Sequence, residues 1–242
     1  MNPYHVGNDG GEILFFGEGK MPDIIVQTNV AYLVGIFFII FILREIVAFK
    51  KILKLKYIFT PLITYIVIII ALYLSYVRGF TVYNIFIIAG LVFALIADTF
   101  LMIEEISFFI HGLFFFLLTH LCYVYALSIN YHFGTIDIII IMIILSIFFL
   151  YYLVIHKAKG KVYIPVILYM LVLSLVLLLA IGTFLKNVYP RGAIVTMAAI
   201  LFAISDGVLA FNQFVHKVPH STVVTWSLYA PAQLLFAVSC YY

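Results

Sequence analysis

The chain has 242 residues, of which 67% are hydrophobic and only 10% are charged. A soluble domain carries about 25% charged residues, so too few polar side chains remain here to cover a water-facing surface, and a soluble globular fold is excluded. The formal net charge of +3 is too small to indicate a nucleic-acid partner. The composition therefore predicts that most of the chain lies in lipid.

The N-terminal segment is polar and differs from everything that follows. Residues 1–20 lack the basic stretch and short apolar core of a signal peptide. We expect residues 1–28 to form an extracytoplasmic leader and residues 29–242 to form one membrane domain. Met21 is a second candidate for the natural start, in which case residues 1–20 are foreign to the protein. Both interpretations stay open.

Eight apolar segments follow the leader, each long enough to cross a bilayer as a helix of about 20 residues. Charged or turn-forming residues separate them, and Glu104-Glu105 marks a tight turn in an apolar stretch too long for one span. Continuous apolar runs exclude the alternating pattern of membrane β-barrels. We predict an all-α, polytopic membrane helix bundle with eight transmembrane helices, near 29–49, 57–77, 83–103, 106–128, 136–155, 162–184, 193–214 and 221–242.

The distribution of Lys and Arg predicts the orientation of the bundle. Nine of the 13 lie at or near the loops after spans 1, 3, 5 and 7. The positive-inside rule places these loops in the cytoplasm and both termini outside. We expect the plasma membrane of a bacterium, or the endoplasmic reticulum if the source is a eukaryote. The nine residues are Arg44, Lys50, Lys51, Lys54, Lys56, Lys157, Lys159, Lys161 and Lys217.

Asp98 and Asp206 are acidic residues that lie deep within the predicted spans. Asp98 precedes the Glu104-Glu105 turn by six residues, and Asp206 precedes the loop at Val215 by nine, so both belong to the cytoplasmic half of the bilayer. A charge at membrane depth costs at least about 2.5–3.5 kcal/mol, which favours a functional role. Two facing carboxyls can share one proton and supply an acid and a base. The alternative is an interhelical hydrogen bond worth about 1 kcal/mol.

The surroundings of the two aspartates repeat weakly along the chain. Residues 96–101 read IADTFL and residues 204–209 read ISDGVL, and the span after each carries a tyrosine, Tyr123 or Tyr229. This pattern favours a four-plus-four parallel repeat that brings both aspartates to the same depth.

Histidine and cysteine spacing does not indicate a metal site. His111 and His120 are nine residues apart and point to opposite sides of one helix, whereas His120 and Tyr123 share a face. His216 and His220 have ligand spacing, but Pro219 interrupts them in a loop. No CxxC pair is present, and we expect neither a metal nor a cofactor.

The order of these residues resembles the YhhN-type lysoplasmalogenase family of eight-span membrane proteins. Ala97 departs from the family pattern, which has glycine before the first aspartate, and the leader has no counterpart. The matching pieces are Gly90 through Asp98 to Met102; His111-Gly112 with His120 and Tyr123; Pro165-Val166 with Tyr169 and Ser174; Ser205-Asp206 with Leu209, Ala210 and Asn212-Gln213-Phe214; and Tyr229 with Gln233.

The resemblance implies hydrolysis of the vinyl ether bond of lysoplasmalogens to a fatty aldehyde and glycerophosphocholine or glycerophosphoethanolamine. It implies Asp98 and Asp206 as catalytic residues, a lysophospholipid substrate drawn from membrane lipids, and no metal. The residues expected to orient water or substrate are His111, His120, Tyr123, Tyr169, Ser205, Asn212, Tyr229 and Gln233. Neither the residues nor the resemblance indicates an oligomeric state.

Three other classes of protein stay open. A proton-coupled transporter or channel also uses paired intramembrane carboxylates. A metal-dependent lipid amidase needs a histidine-rich zinc site, and a purely structural scaffold tolerates loss of both aspartates.

Overall fold

The computed structural model describes residues 23–103, 108–155, 163–186 and 188–242. These residues contain eight α-helices, each long and apolar enough to cross a membrane. The predicted all-α, polytopic membrane bundle is therefore confirmed. In chain order the helices are α1 (Asp23–Phe49), α2 (Leu53–Arg78), α3 (Val82–Met102), α4 (Phe109–Ser128), α5 (Thr135–Ile155), α6 (Tyr163–Leu185), α7 (Arg191–Phe214) and α8 (Ser221–Val238), followed by a 3-10 turn, Ser239–Tyr241.

Two helices begin at least four residues earlier than the apolar pattern predicts. Helix α1 begins six residues before the predicted first span, and α2 begins at Leu53 rather than at residue 57. Lysine is a good helix former, so α2 includes Lys54 and Lys56, which the sequence assigned to a loop. Arg44, also grouped with that loop, lies within α1 and is fully buried. The predicted turns at 104–105 and 156–161 fall outside the described residues.

The helices pack in a pattern that relates the two halves of the bundle. Helix α2 contacts α1, α3 and α8, and α6 contacts α5, α7 and α4. Helix α3 packs closely on α4, as α7 does on α8. Exchanging the first four helices with the last four maps each of these contacts onto another, as a four-plus-four repeat would. The repeat itself stays a prediction.

A glycine permits the close approach of α3 and α4. A Cβ atom at Gly90 would overlap the ring of Tyr123, and the Thr119 hydroxyl donates a hydrogen bond to the Gly90 carbonyl at 3.1 Å. Since α4 lies so near α3, the side chain of Tyr123 is completely buried.

A polar cluster secures the start of α5, at the end of the bundle opposite the α7–α8 turn. Asp137 pairs with Lys186 at 2.7 Å and accepts hydrogen bonds from Tyr131 and from the Gly134 N–H. Burial lowers the pKa of Lys186, but its hydrogen bonds to Asp137 and Tyr131 outweigh that effect and raise this pKa above its ordinary value. The cluster therefore ties α5 to the end of α6.

Candidate functional site

A polar cavity of about 120 Å³ lies among α2, α3, α7 and α8, near the α7–α8 turn that we predict to be cytoplasmic. Both Asp98 and Asp206 line it, and each is less than a tenth exposed. The two aspartates predicted from depth therefore face one cavity rather than opposite sides of the bundle. We refer to this space, bounded at its other end by Lys56, Asn212 and Ser221, as the polar cavity.

Asp98 lies at the end of a hydrogen-bond network. Its Oδ2 accepts from the Thr64 hydroxyl at 2.6 Å and from the Tyr229 hydroxyl at 2.9 Å. The Tyr229 oxygen accepts from Gln233 Nε2 at 3.0 Å, and Gln233 Oε1 accepts from Tyr123 at 2.7 Å. Helices α2, α4 and α8 thus jointly hold this carboxyl. Three residues named from the sequence, Tyr123, Tyr229 and Gln233, belong to the network.

Asp206 has a simpler polar environment. Its Oδ2 accepts a hydrogen bond from the Tyr169 hydroxyl on α6. The next residue in α7, Gly207, accepts a hydrogen bond at its carbonyl from Tyr151 of α5 at 2.7 Å. Tyr169, predicted as an orienting residue, therefore contacts one of the two aspartates directly.

Asp206 also lines a second, mostly apolar space of about 220 Å³, which we call the apolar groove. The groove lies among α4, α5, α6 and α7. From Tyr169 to Leu177 it follows α6 for eight residues, which is about 12 Å at the rise of an α-helix. Its other apolar lining includes Phe109, Leu113, Ile144, Ile147, Phe148, Val166, Met170 and Leu173.

The two spaces share one wall. Leu101, Phe116, Asp206 and Leu209 line both the polar cavity and the apolar groove. Among these four residues only Asp206 is ionisable, so its carboxyl lies where a polar and an apolar compartment meet. A molecule with a polar head and one apolar tail fits this division.

The remaining predicted residues around the site support its walls. Ser205 donates to the Thr225 carbonyl at 3.0 Å, which joins α7 to α8. Asn212 Oδ1 accepts from the Val218 N–H at 2.9 Å in the α7–α8 turn. His120 is buried, with Nδ1 2.7 Å from the Phe116 carbonyl and its ring edge-on to Tyr169. His120 Nε2 has no hydrogen-bond partner among the described residues.

His111 is the one predicted residue that the structure separates from this group. It is exposed, and its ring lies near Phe100 and Phe108. From the sequence, His111 follows the Glu104-Glu105 turn by six residues as Asp98 precedes it by six, which predicts a matching depth. Depth, however, does not specify which side of a helix faces the interior. Across the described ranges, no three His, Cys, Asp or Glu side chains form a metal-ligand group.

Sequence reasoning missed the contribution of α2. Lys56, Thr60 and Thr64 are spaced four residues apart and therefore lie on one helix face. Lys56 and Thr60 line the polar cavity, and Thr64 binds Asp98. Polar residues at this spacing within the apolar stretch KLKYIFTPLIT are a signal that could have identified the face.

The eight spanning helices and two buried carboxyls at one cavity define a polytopic membrane protein with an intramembrane acidic site. Within that class, the chain belongs to the YhhN family, whose sequence model matches residues 55–240.

Named relatives match shorter stretches of the chain. It is 36% identical over 88 residues to lysoplasmalogenase TMEM86B of Mus musculus, covering 36% of this chain and 35% of the relative. It is 31% identical over 160 residues to lysoplasmalogenase TMEM86A of Bos taurus, covering 63% and 64%. The matches thus span about a third of the mouse protein and just under two thirds of the bovine one. The comparison with solved structures produced no match.

Proposed function

We propose that the chain is a membrane-embedded hydrolase that cleaves the vinyl ether bond of lysoplasmalogens. The observation that carries this proposal is the position of Asp206 in the wall shared by the polar cavity and the apolar groove. A single-chain lipid with its headgroup in the cavity and its tail in the groove would have its head–tail linkage beside both aspartates. Membership of the YhhN family and the similarity to two lysoplasmalogenases support the same reaction.

The reaction needs an acid and a carboxylate base. Protonation of the β-carbon of a vinyl ether generates an oxocarbenium-like cation, water adds to that cation, and the hemiacetal collapses to an aldehyde and an alcohol. Glycoside hydrolysis uses two carboxyl groups in the same way. One proton is delivered and one is recovered, so the cycle requires only water.

Asp206 is our choice for the acid and Asp98 for the base. Asp206 borders the apolar groove, where the first carbons of the tail would lie and where an ionised carboxylate is poorly solvated. Asp98 accepts two hydrogen bonds, from Thr64 and Tyr229, which stabilise a carboxylate that can bind and activate water. Tyr169 would orient Asp206.

The remaining predicted site residues would act through these groups. Gln233 and Tyr123 position Tyr229, and Ser205 and Asn212 maintain the walls of the cavity. His120 would hold the ring of Tyr169 in place. His111 lies outside this arrangement, and we assign it no step in the mechanism.

The test is aldehyde release from purified protein with lysoplasmalogen as substrate. We expect Asp98→Asn and Asp206→Asn each to lower the rate by about 10²–10⁴-fold, the usual contribution of general acid–base catalysis. Asp137→Asn is the matched control, because Asp137 is also a buried carboxyl but lies in the Lys186 cluster at the opposite end. A chelator should leave the wild-type rate unchanged.

Full activity in either aspartate variant would contradict the assignment. The transporter class would be favoured instead if wild-type protein released no aldehyde but carried substrate or protons across the membrane of proteoliposomes.

A further inference from the structure

We infer that Lys56 binds the phosphate group of a phospholipid headgroup in the polar cavity. This inference deepens the proposed function and takes its choice of lipid from it, but the binding step can be measured without catalysis. Lys56 is only 7% exposed although it lies in the first turns of α2. It lines the polar cavity, whereas Lys54, two residues earlier, is exposed on another side of the helix. The position of Lys56 thus places a cation inside the wall instead of among surrounding lipid headgroups.

Hydroxyl groups in the same cavity are buried without partners. The Oγ1 atoms of Thr60 and Thr225 have no hydrogen-bond partner among the described residues, and both residues line the cavity. Buried polar groups normally pair with protein, water or ligand. Asn212 also lines this space, and since its oxygen accepts from Val218, the group that it can offer a ligand is its NH2. These donors suit the oxygen atoms of a phosphate diester.

A second positive charge lies against the wall of the cavity. The Arg44 guanidinium stacks on the ring of Trp226 at 4.4 Å, and Trp226 lines the cavity. Arg44 Nη1 donates to Glu45 at 2.8 Å and lies 3.5 Å from the Thr222 carbonyl. Its Nε and Nη2 are buried without partners in the described part of the chain. Within the described ranges, Glu45 and the Thr222 carbonyl both lie at Nη1, so no hydrogen bond there engages the donors of Nε and Nη2.

The beginning of α8 adds to this positive region. Ser221 and Thr222, in its first turn, line the cavity. The N-terminus of a helix carries partial positive charge, which favours anions. Lys56 and the start of α8 therefore lie at the end of the cavity away from the two aspartates, and the Arg44 side chain adds positive charge behind the Trp226 wall.

The order of residues along α2 agrees with the direction in which a glycerophospholipid would lie in the cavity. From Lys56 to Thr64, which binds Asp98, the helix rises about 12 Å over eight residues. In a lysoplasmalogen, the glycerol backbone separates the vinyl ether on one end carbon from the phosphate on the other. A substrate with its vinyl ether at the aspartates would therefore extend its phosphate toward Lys56.

Trp226 provides a direct measure of binding, because it is the single tryptophan of the chain and lines the cavity. The probe is a 1-O-alkyl lysophosphocholine, a saturated ether that has no vinyl bond to cleave. The comparison ligand is a 1-O-alkylglycerol with the same chain, which lacks the phosphate. The dissociation constant of each is obtained from the change in tryptophan fluorescence of purified protein in detergent.

We expect Lys56→Gln to raise the dissociation constant of the phospholipid by about 10- to 100-fold, the equivalent of one charge-assisted hydrogen bond. Affinity for the alkylglycerol should not change. Lys56→Arg should recover most of the phospholipid affinity, because it restores the charge. Two exposed cationic positions on the same side of the bundle serve as matched controls, and neither Lys54→Gln nor Lys217→Gln should affect either ligand.

Several results would overturn the inference. One is equal loss of affinity for both ligands in Lys56→Gln, and another is a phospholipid-specific loss in Lys217→Gln instead. Wild-type protein gives a test that needs no variant, since equal affinities for the two ligands would also contradict a phosphate site. Inorganic phosphate should compete weakly with the phospholipid and should not compete with the alkylglycerol. Tighter binding of inorganic phosphate than of phospholipid would identify a free-anion site instead. Absence of aldehyde release would defeat the proposed reaction but leave this binding result standing.

Discussion

The two aspartates share one cavity, yet their surroundings differ. Asp98 accepts two hydrogen bonds and connects through Tyr229 to Gln233 and Tyr123. Asp206 accepts one from Tyr169 and borders the apolar groove. Identical side chains in different environments can divide the roles of acid and base between them. The difference lies in what the neighbouring helices supply. Helices α2 and α8 each donate a hydrogen bond to Asp98, whereas α6 donates one to Asp206 and, with α5, otherwise lines the adjoining groove with mostly apolar side chains.

The largest effect among variants that keep both aspartates is expected from the network around Asp98. Tyr229→Phe removes one of its two hydrogen bonds and should lower kcat by about 10- to 100-fold, because a hydrogen bond to a charged group contributes about 1.5–3 kcal/mol. Tyr123→Phe, two hydrogen bonds farther away, should have a smaller effect. Tyr125→Phe, at an exposed position of α4, is the control. Steady-state aldehyde release measures all three, and an equal loss in Tyr123→Phe and Tyr229→Phe would contradict this gradient.

A substitution in the apolar groove beside Asp206 should instead alter the preference for the length of the substrate's hydrocarbon tail. Leu177→Trp fills the part of the apolar groove that lies farther along α6 from Tyr169. It should raise KM about tenfold for long-chain substrates while leaving short-chain substrates unaffected, since tail methylenes would lose their contacts. Leu175→Trp, on the exposed side of α6, should change neither value. A uniform loss of kcat for all chain lengths would argue against a tail site in the groove.

The smallest expected effect is on thermal stability, and it compares a glycine of the first half of the bundle, Gly90, with one of the second half, Gly207. Gly90→Ala introduces a Cβ that meets the Tyr123 ring, whereas Gly207→Ala meets no atom within 4 Å. Overpacking costs about 1–3 kcal/mol, so Gly90→Ala should lower the melting temperature in detergent. Gly207→Ala should leave it unchanged or raise it slightly, because alanine is the better helix former. Equal melting temperatures would show that Tyr123 can shift without cost.

The helices were predictable because hydropathy is a local property of the chain. Asp98 and Asp206 stood out because charged groups are costly at their depth, and the tyrosine repeated in the span after each of them drew attention to Tyr123 and Tyr229. Depth failed for His111, since it does not determine which side of α4 faces inward. Thr64 and Lys56 were missed because their roles depend on α2 lying beside α3 and α8, a neighbourhood that one sequence does not record. Tyr169 was named only from the family resemblance.

The position of Asp206 between two compartments also bears on how a finished reaction would clear the site. The proposed cleavage yields one product that dissolves in lipid and one that dissolves in water. Because the broken bond would lie at the boundary, the aldehyde is left on the groove side and the glycerophosphodiester on the side facing the α7–α8 turn. Each product would leave toward the medium in which it is soluble, and neither would have to cross the path of the other.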